Sequence, residues 1–238
     1  MQVPRTDLCA LCQLNTTLLY KVRSFDDDKK QALLQKSLEH LNSVSKEREL
    51  LKNVIIEAKS TLPTETTLTL GRHKPCSFDG LSHYSFDFAQ QIFVPHSSQQ
   101  VGPIYLLTPY KIGLFGIMCE PFGKMVIYII LKRMASGKGS NVVISLLHHY
   151  FENFALGESK VSLNANNCIG QNKNDTMIQY LTWRAMKELH TDIVNSFLIV
   201  GHTKFSPDYG FGVFKKKFRC PSVNVWKMSV TLCGQLTF

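Results

Sequence analysis

The order of strand-like and helix-like patterns between residues 83 and 200 constrains the fold of this chain more than any other feature. Alternation of apolar and polar residues predicts a first strand at 83–94, and two further strand regions follow before any helix. The later elements are predicted as strand regions at 104–108 with 111–118 and at 125–131, a helix at 141–154, a strand at 160–165, a helix at 175–189 and a strand at 195–200. This order predicts an α/β fold in which helices flank a mixed sheet.

A long helix is predicted ahead of the sheet, because residues 27–59 contain neither Gly nor Pro. Its apolar residues follow a heptad spacing that Ser37 and Arg48 interrupt; they are Leu34, Leu41, Val44, Leu51, Ile55 and Ala58. The pattern is typical of an amphipathic helix that packs against its own domain, and a coiled-coil homodimer is the alternative.

Composition then divides the chain into four parts. Residues 1–60 hold a Cys-x-x-Cys segment and the long helix, and residues 61–80 form a linker rich in Thr, Pro and Gly. Residues 81–219 form the α/β domain, and its order of three strands, helix, strand, helix and strand predicts a ribonuclease-H-like fold. The final stretch, 220–238, lacks clear periodicity, and we interpret it as an atypical, truncated tail.

The chain is basic, since 27 Lys and Arg against 18 Asp and Glu give a formal net charge of +9. A basic domain attracts polyanions, so DNA or RNA is the expected partner. The predicted contacts with the phosphate backbone are Lys173, Lys215, Lys216, Lys217 and Arg219, and a solvated charged turn is the alternative for the last four. We find no secretory signal and no apolar stretch that would span a membrane. We therefore expect no membrane partner and an intracellular location, with the nucleus as one candidate.

Three positions in the predicted sheet match a layout for metal-dependent phosphoryl transfer. That chemistry requires carboxylates from separate elements that converge on two divalent cations. In a ribonuclease-H-like layout the carboxylates come from the first strand, from the end of the fourth strand and from the segment after the fifth. In this chain those places hold Asp87, Asn166 and Asp208. A purely structural role, such as stabilising a strand or a turn, is the alternative for each acid.

Two strings of residues carry a resemblance to a known family. Residues 163–174 are LNANNCIGQNKN, and residues 201–212 are GHTKFSPDYGFG. They resemble the signatures HADNCGGQNKN and GHTKFxPDxxFG of an uncharacterised, transposon-associated group of animal proteins with a ribonuclease-H-like domain of the transposase/integrase type. The resemblance covers roughly residues 5–219. It implies Mg²⁺ or Mn²⁺ as the cofactor of active relatives. His202 is a candidate to support the metal ligands, and an ordinary histidine at a strand end is the alternative.

The chain departs from that signature at the central acid, where Asn166 replaces Asp. An amide lacks the negative charge and presents an NH₂ donor to any cation, whereas Mg²⁺ prefers carboxylates. We therefore expect a transposase-derived protein that is catalytically impaired and that retains nucleic-acid binding at most. One alternative is a non-enzymatic interaction module that uses the N-terminal helix. Another is an active metal-dependent nuclease with a rearranged site.

A second candidate site begins at Cys9 and Cys12, whose Cys-x-x-Cys spacing is that of half a zinc site. No second pair follows nearby. His40 on the long helix and Cys76 in the linker are the candidates for the remaining Zn²⁺ ligands. Free thiols and a redox-active pair are the alternatives.

Overall fold

The computed structural model describes residues 9–21, 26–62, 69–94, 102, 108–131 and 137–219. The predicted tail at 220–238, most of the strand region at 104–108 and part of the linker lie outside these residues. The helices are α1 (Ala10–Tyr20), α2 (Asp27–Ser60), α3 (Ser140–Asn153), α4 (Asp175–Met186) and α5 (Ser206–Arg219). The strands are β1 (Phe78–Val94), β2 (Tyr110–Cys119), β3 (Lys124–Leu131), β4 (Glu158–Ala165) and β5 (Asp192–Phe197).

The five strands form one mixed sheet in the order β3-β2-β1-β4-β5. The first three strands form an antiparallel meander, in which Phe88 pairs with Phe115 and Phe115 with Tyr128. β4 then runs parallel to β1, and β5 runs parallel to β4. A meander followed by two parallel strands that are each reached through a helix is compatible with a ribonuclease-H-like fold. The predicted fold class, a mixed sheet flanked by helices and preceded by a long N-terminal helix, is confirmed.

The two faces of the sheet differ in what they bury. Tyr84 and Phe86 on β1 point to one face, where they join the main core with side chains of α3 and α4. On the opposite face, the β2–β3 side is apolar and packs against Phe211 and Phe214 of α5. Because side chains alternate along a strand, Asp87 also points to this second face. The sheet thus directs a carboxylate towards the side that carries α5.

Helix α2 packs on the sheet and contacts β1. Val44 and Ala58 are its buried residues, and Thr61 at its end donates a hydrogen bond to the Leu81 carbonyl at 3.0 Å. The main interpretation of the heptad pattern, a helix that packs against its own domain, agrees with these contacts. The homodimer stays a prediction. In the part of the chain that the structure describes, no helix combines the length and the apolarity that a membrane span requires.

Candidate functional site

The central acid–amide pair lies at the junction of β1 and β4. The register pairs Phe86 with Ala165, so the next residues along the two parallel strands are Asp87 and Asn166. The Asn166 Nδ2 atom donates a hydrogen bond of 2.7 Å to the Asp87 Oδ1 atom. Asn172 in turn donates from its Nδ2 atom to the Asn166 Oδ1 atom at 2.7 Å. Both ends of the Asn166 amide are therefore engaged, and its NH₂ group faces the carboxylate.

Asp208 completes the predicted set from the first turn of α5. Its Oδ2 atom accepts a hydrogen bond of 3.1 Å from the backbone N–H of Phe205, the residue before the helix, as the acidic residue of a capping box does. Asp208 also lies close enough to Asp87 to act on its ionisation. The structure thus brings the three sequence-predicted residues to one end of the sheet.

Burial controls the ionisation of Asp87. Desolvation raises the pKa of this carboxyl to about 7, and the negative charge of Asp208 acts in the same direction. The Phe88 backbone N–H, which donates to Asp87 Oδ1 at 2.7 Å, and the Lys138 ammonium oppose the rise. Near neutral pH a large fraction of Asp87 is therefore protonated, and the site carries less negative charge than two free carboxylates would.

Two lysines neighbour residues of the acid–amide site: the charge of Lys138 acts on the Asp87 carboxyl, and Lys173 follows Asn172 in the chain. Lys138 donates to the Ala89 carbonyl at 3.3 Å and lies 5.1 Å above the ring of Phe88. Lys173, a predicted phosphate contact, lies 5.6 Å from the ring centre of Phe197. The sequence analysis did not single out Lys138 as a neighbour of Asp87. Its signal was the Gly-Lys-Gly turn ahead of α3, which places a cation on a short loop.

The predicted basic run belongs to a helix and not to a turn, because α5 extends to Arg219. Lys216 and Lys217 are exposed and Lys215 is half-buried, whereas Phe218 is buried in the core. The aromatic ring within this run is therefore not offered to a nucleobase. The side chain of Arg219 lies outside the described residues.

A second cluster joins three distant parts of the chain. The ligand atoms of Cys9, Cys12, His40 and His202 all lie within 4.8 Å of one another. The Nε2 atoms of His40 and His202 are 3.2 Å apart, Cys9 Sγ is 3.3 Å from His40 Nε2, and Cys12 Sγ is 3.4 Å from His202 Nε2. This Cys/His cluster could bind a metal ion.

Local structure explains how the cluster forms. Cys9 and Cys12 flank the first turn of α1, and His40 lies on α2. His202 follows Gly201, which has a φ of +80° in the turn after β5. A Cβ atom at Gly201 would overlap the backbone of Cys9. Only glycine fits such a close approach with this φ. Gly201 therefore allows the backbone of Cys9 to lie against this turn.

Burial and neighbouring charges shift the pKa values of Cys12 and His202 in this cluster. Burial raises the pKa of the Cys12 thiol, and the hydrogen bond and charge of Cys9 raise it further. Burial lowers the pKa of the His202 imidazole, as do the neighbouring charges of His40 and Arg48. A neutral imidazole keeps a lone pair on one ring nitrogen, and a lone pair is what a metal requires.

His202 therefore occupies the place that the sequence analysis assigned to Cys76. Cys76 lies before β1, has a φ of +52° and donates from Sγ to the Glu188 carbonyl at 3.4 Å. β1 starts beside the start of β4, whereas His202 follows the end of β5. Parallel strands all start at one end of the sheet and finish at the opposite end. Cys76 precedes the start of a strand and His202 follows the end of one, so they lie at opposite ends of the sheet. His202 is a member of the Cys/His cluster and not a residue that supports the acid–amide site directly.

Comparison with known proteins gives one match. A family model described as a domain of unknown function (DUF7869) matches residues 107–230, which is just over half of the 238-residue chain. The matched region extends from β2 through α5 and contains Asn166, His202 and Asp208. No curated protein and no solved structure matches the chain.

Proposed function

Because the chain belongs to the family described as a domain of unknown function (DUF7869), we propose its function from the geometry of its own site. It is a transposase-derived, ribonuclease-H-like domain that has lost metal-dependent cleavage and that binds nucleic acid without cutting it. Mg²⁺ or Mn²⁺ belongs to the active ancestor and not to this chain.

The observation that carries this proposal is the 2.7 Å hydrogen bond from Asn166 Nδ2 to Asp87 Oδ1. A divalent cation at this place needs oxygen ligands from both side chains. Here the amide donates a hydrogen where a cation would stand. Asn172 supports that orientation, because its NH₂ group occupies the oxygen side of the Asn166 amide.

The charge around the acid–amide site supports binding without cleavage. Lys138 acts on the Asp87 carboxyl, Lys173 follows Asn172 in the chain, and the rise in the Asp87 pKa to about 7 reduces the negative charge that would repel a phosphate. The chain as a whole carries a formal charge of +9. Contacts between lysines and phosphates release counterions, so the affinity should depend strongly on salt.

Fluorescence anisotropy with labelled single-stranded and duplex oligonucleotides tests this function. We expect the double variant Lys138→Ala/Lys173→Ala to bind several-fold more weakly, with a salt slope that is smaller by about 2. The matched control is Lys36→Ala/Lys52→Ala, which removes the same charge from exposed positions on α2. Equal losses in the two double variants, or cleavage of the oligonucleotide by the natural chain, would contradict the proposal.

A specific observation favours a second role, a structural Zn²⁺ site formed by Cys9, Cys12, His40 and His202. Two thiolates and two imidazoles are a common donor set of closed, tetrahedral zinc sites. With Zn–N near 2.0 Å and Zn–S near 2.3 Å, tetrahedral geometry requires roughly 3.3 Å between two nitrogens and roughly 3.5 Å between nitrogen and sulfur. The corresponding distances here are 3.2 Å and 3.3–3.4 Å. Four protein ligands leave no open position for a substrate.

Elemental analysis and cobalt substitution test the metal and its ligands. We expect about one zinc per chain in protein purified without chelator, and Co²⁺ spectra typical of tetrahedral coordination with thiolate ligands. His202→Ala should lose the metal, whereas Cys76→Ala should keep it. A zinc-free natural chain, or loss of zinc from the Cys76 variant alone, would refute the ligand set.

A further inference from the structure

The turn between β5 and α5 is held from one side by α2. The Ile199 backbone N–H donates to Glu47 Oε2 at 2.9 Å, and Arg48 Nη2 donates to the His202 carbonyl at 3.5 Å. Gly201 in the same turn lies against the backbone of Cys9. The residues that lead into α5 are thus tied to the N-terminal helices and not only to the sheet.

The same turn leads directly to Asp208, six residues after His202. Ser206 at the start of α5 donates to Glu120 Oε2 at 2.8 Å, and Phe205 N–H donates to the Asp208 carboxylate. The intervening residues are therefore anchored at both ends, at the Cys/His cluster and at the first turn of α5. A shift at one end of so short a segment is transmitted to the other.

The body of α5 has an independent anchor. Phe211, Phe214 and Phe218 are buried in the second core cluster against β1, β2 and β3. These contacts fix the helix on the sheet but lie beyond Asp208 in the chain. The turn and the first helical residues depend on other contacts, among them Ser206 with Glu120 and Gly201 with Cys9.

We propose that metal binding at Cys9, Cys12, His40 and His202 clamps α2 to the β5–α5 turn and thereby holds Asp208 beside Asp87, so that His202 is a positioning residue for the acid–amide site. This inference rests on the zinc site proposed above. It gives the N-terminal helices a function within the fold, because they hold the acid–amide site in shape although they contribute no residue to that site.

Hydrogen exchange measured by mass spectrometry on the full zinc-loaded chain tests the clamp. In His202→Ala, at labelling times too short for global unfolding to contribute, we expect at least tenfold faster exchange of backbone amides in residues 199–208, with amides of β1 and β4 unchanged. His202→Cys supplies another zinc ligand and should restore both the metal and the protection. Cys76→Ala, measured in parallel, should behave like the natural chain.

A second variant separates loss of the metal from damage to the turn itself. His40→Ala removes a ligand from α2 and leaves the turn residues intact, and it should accelerate exchange in the same residues 199–208. Zinc lost with exchange in 199–208 unchanged would overturn the clamp and leave the zinc site standing. Uniformly faster exchange over all measured segments at these short labelling times in both variants would also overturn it, since the metal would then serve global stability alone. No zinc in the natural chain would refute the zinc site itself, and the clamp with it.

Discussion

At the scale of single residues, Asn166 decides what the acid–amide site can hold. We expect Asn166→Asp to bind Mn²⁺ roughly tenfold to a hundredfold more tightly than the natural chain, because it replaces a hydrogen-bond donor by a charged ligand. Titration followed by electron paramagnetic resonance measures free Mn²⁺ directly. Asn167→Asp is the matched control, because it adds the same charge one residue further along. Equal affinities in the two variants would mean that position 166 is not a metal site.

The raised pKa of Asp87 predicts a pH dependence of stability. The pKa rises from 3.8 to about 7 on burial, so with rising pH the unfolded chain loses this proton before the folded chain does. The free energy of unfolding should therefore fall between about pH 4 and pH 7, by at most about 4 kcal/mol, and this contribution should be constant above that window. Asp87→Asn should lack the fall, because its side chain stays neutral.

Urea unfolding at several pH values, followed by circular dichroism, measures this dependence. Asp192→Asn is the control, since Asp192 is exposed at the start of β5. If the natural chain and Asp87→Asn show the same pH profile, then Asp87 is not the buried acid that the structure indicates.

The sequence placed the acid–amide residues better than the zinc ligands, for a physical reason. Asp87 lies on β1 and Asn166 directly follows β4, and the order of elements together with the family resemblance predicted that these two parallel strands are neighbours. Cys76 lies at the end of the sheet where the parallel strands start, and His202 lies at the end where they finish. That difference depends on where β1 starts, and β1 starts at Phe78, within the predicted linker. If the sequence analysis had predicted that β1 starts at Phe78, it would have excluded Cys76 as a zinc ligand.

At the scale of elements, the Cys/His cluster acts as a cross-link. His40 and His202 are 162 residues apart in the chain, and closing a loop of that length stabilises a fold by at most about 5 kcal/mol. We expect His40→Ala to lower the Tm by roughly 10 °C. Chelation should lower the Tm of the natural chain to the same value and leave that of His40→Ala unchanged. Scanning calorimetry measures both, with Cys76→Ser as control, and a chelator effect on the variant would show that metal stabilises the chain elsewhere.

The ends of the strands are the features that local sequence patterns predicted least well. β5 was predicted at 195–200 and lies at Asp192–Phe197, because Asp192 pairs with Lys160 on β4 while the apolar residues 198–200 continue into the turn. Apolar character alone does not separate a strand from a turn that packs against α2. Helix α2, by contrast, was predicted almost to the residue, since helical periodicity repeats over many turns and averages out local exceptions.

At the scale of the whole molecule, the zinc cluster and the acid–amide site should be energetically coupled. They share no residue, yet the β5–α5 turn carries a ligand of one and leads to an acid of the other. Two sites that bias the same structural element must show a coupling free energy. If zinc holds Asp208 in place, then a carboxylate restored at position 166 gains Mn²⁺ affinity only while zinc is bound.

A double-mutant cycle with Mn²⁺ affinity as the readout tests this coupling. Its four members are the natural chain, Asn166→Asp, His40→Ala and the double variant. We expect Asn166→Asp to gain much less affinity in the His40→Ala background, with a coupling of about 1 kcal/mol or more, because Asp208 is then no longer held beside Asp87. His40 lies on α2 and belongs to the zinc cluster, so independent sites would give additive changes. Additivity within about 0.3 kcal/mol would show that the N-terminal helices serve stability alone and do not shape the acid–amide site.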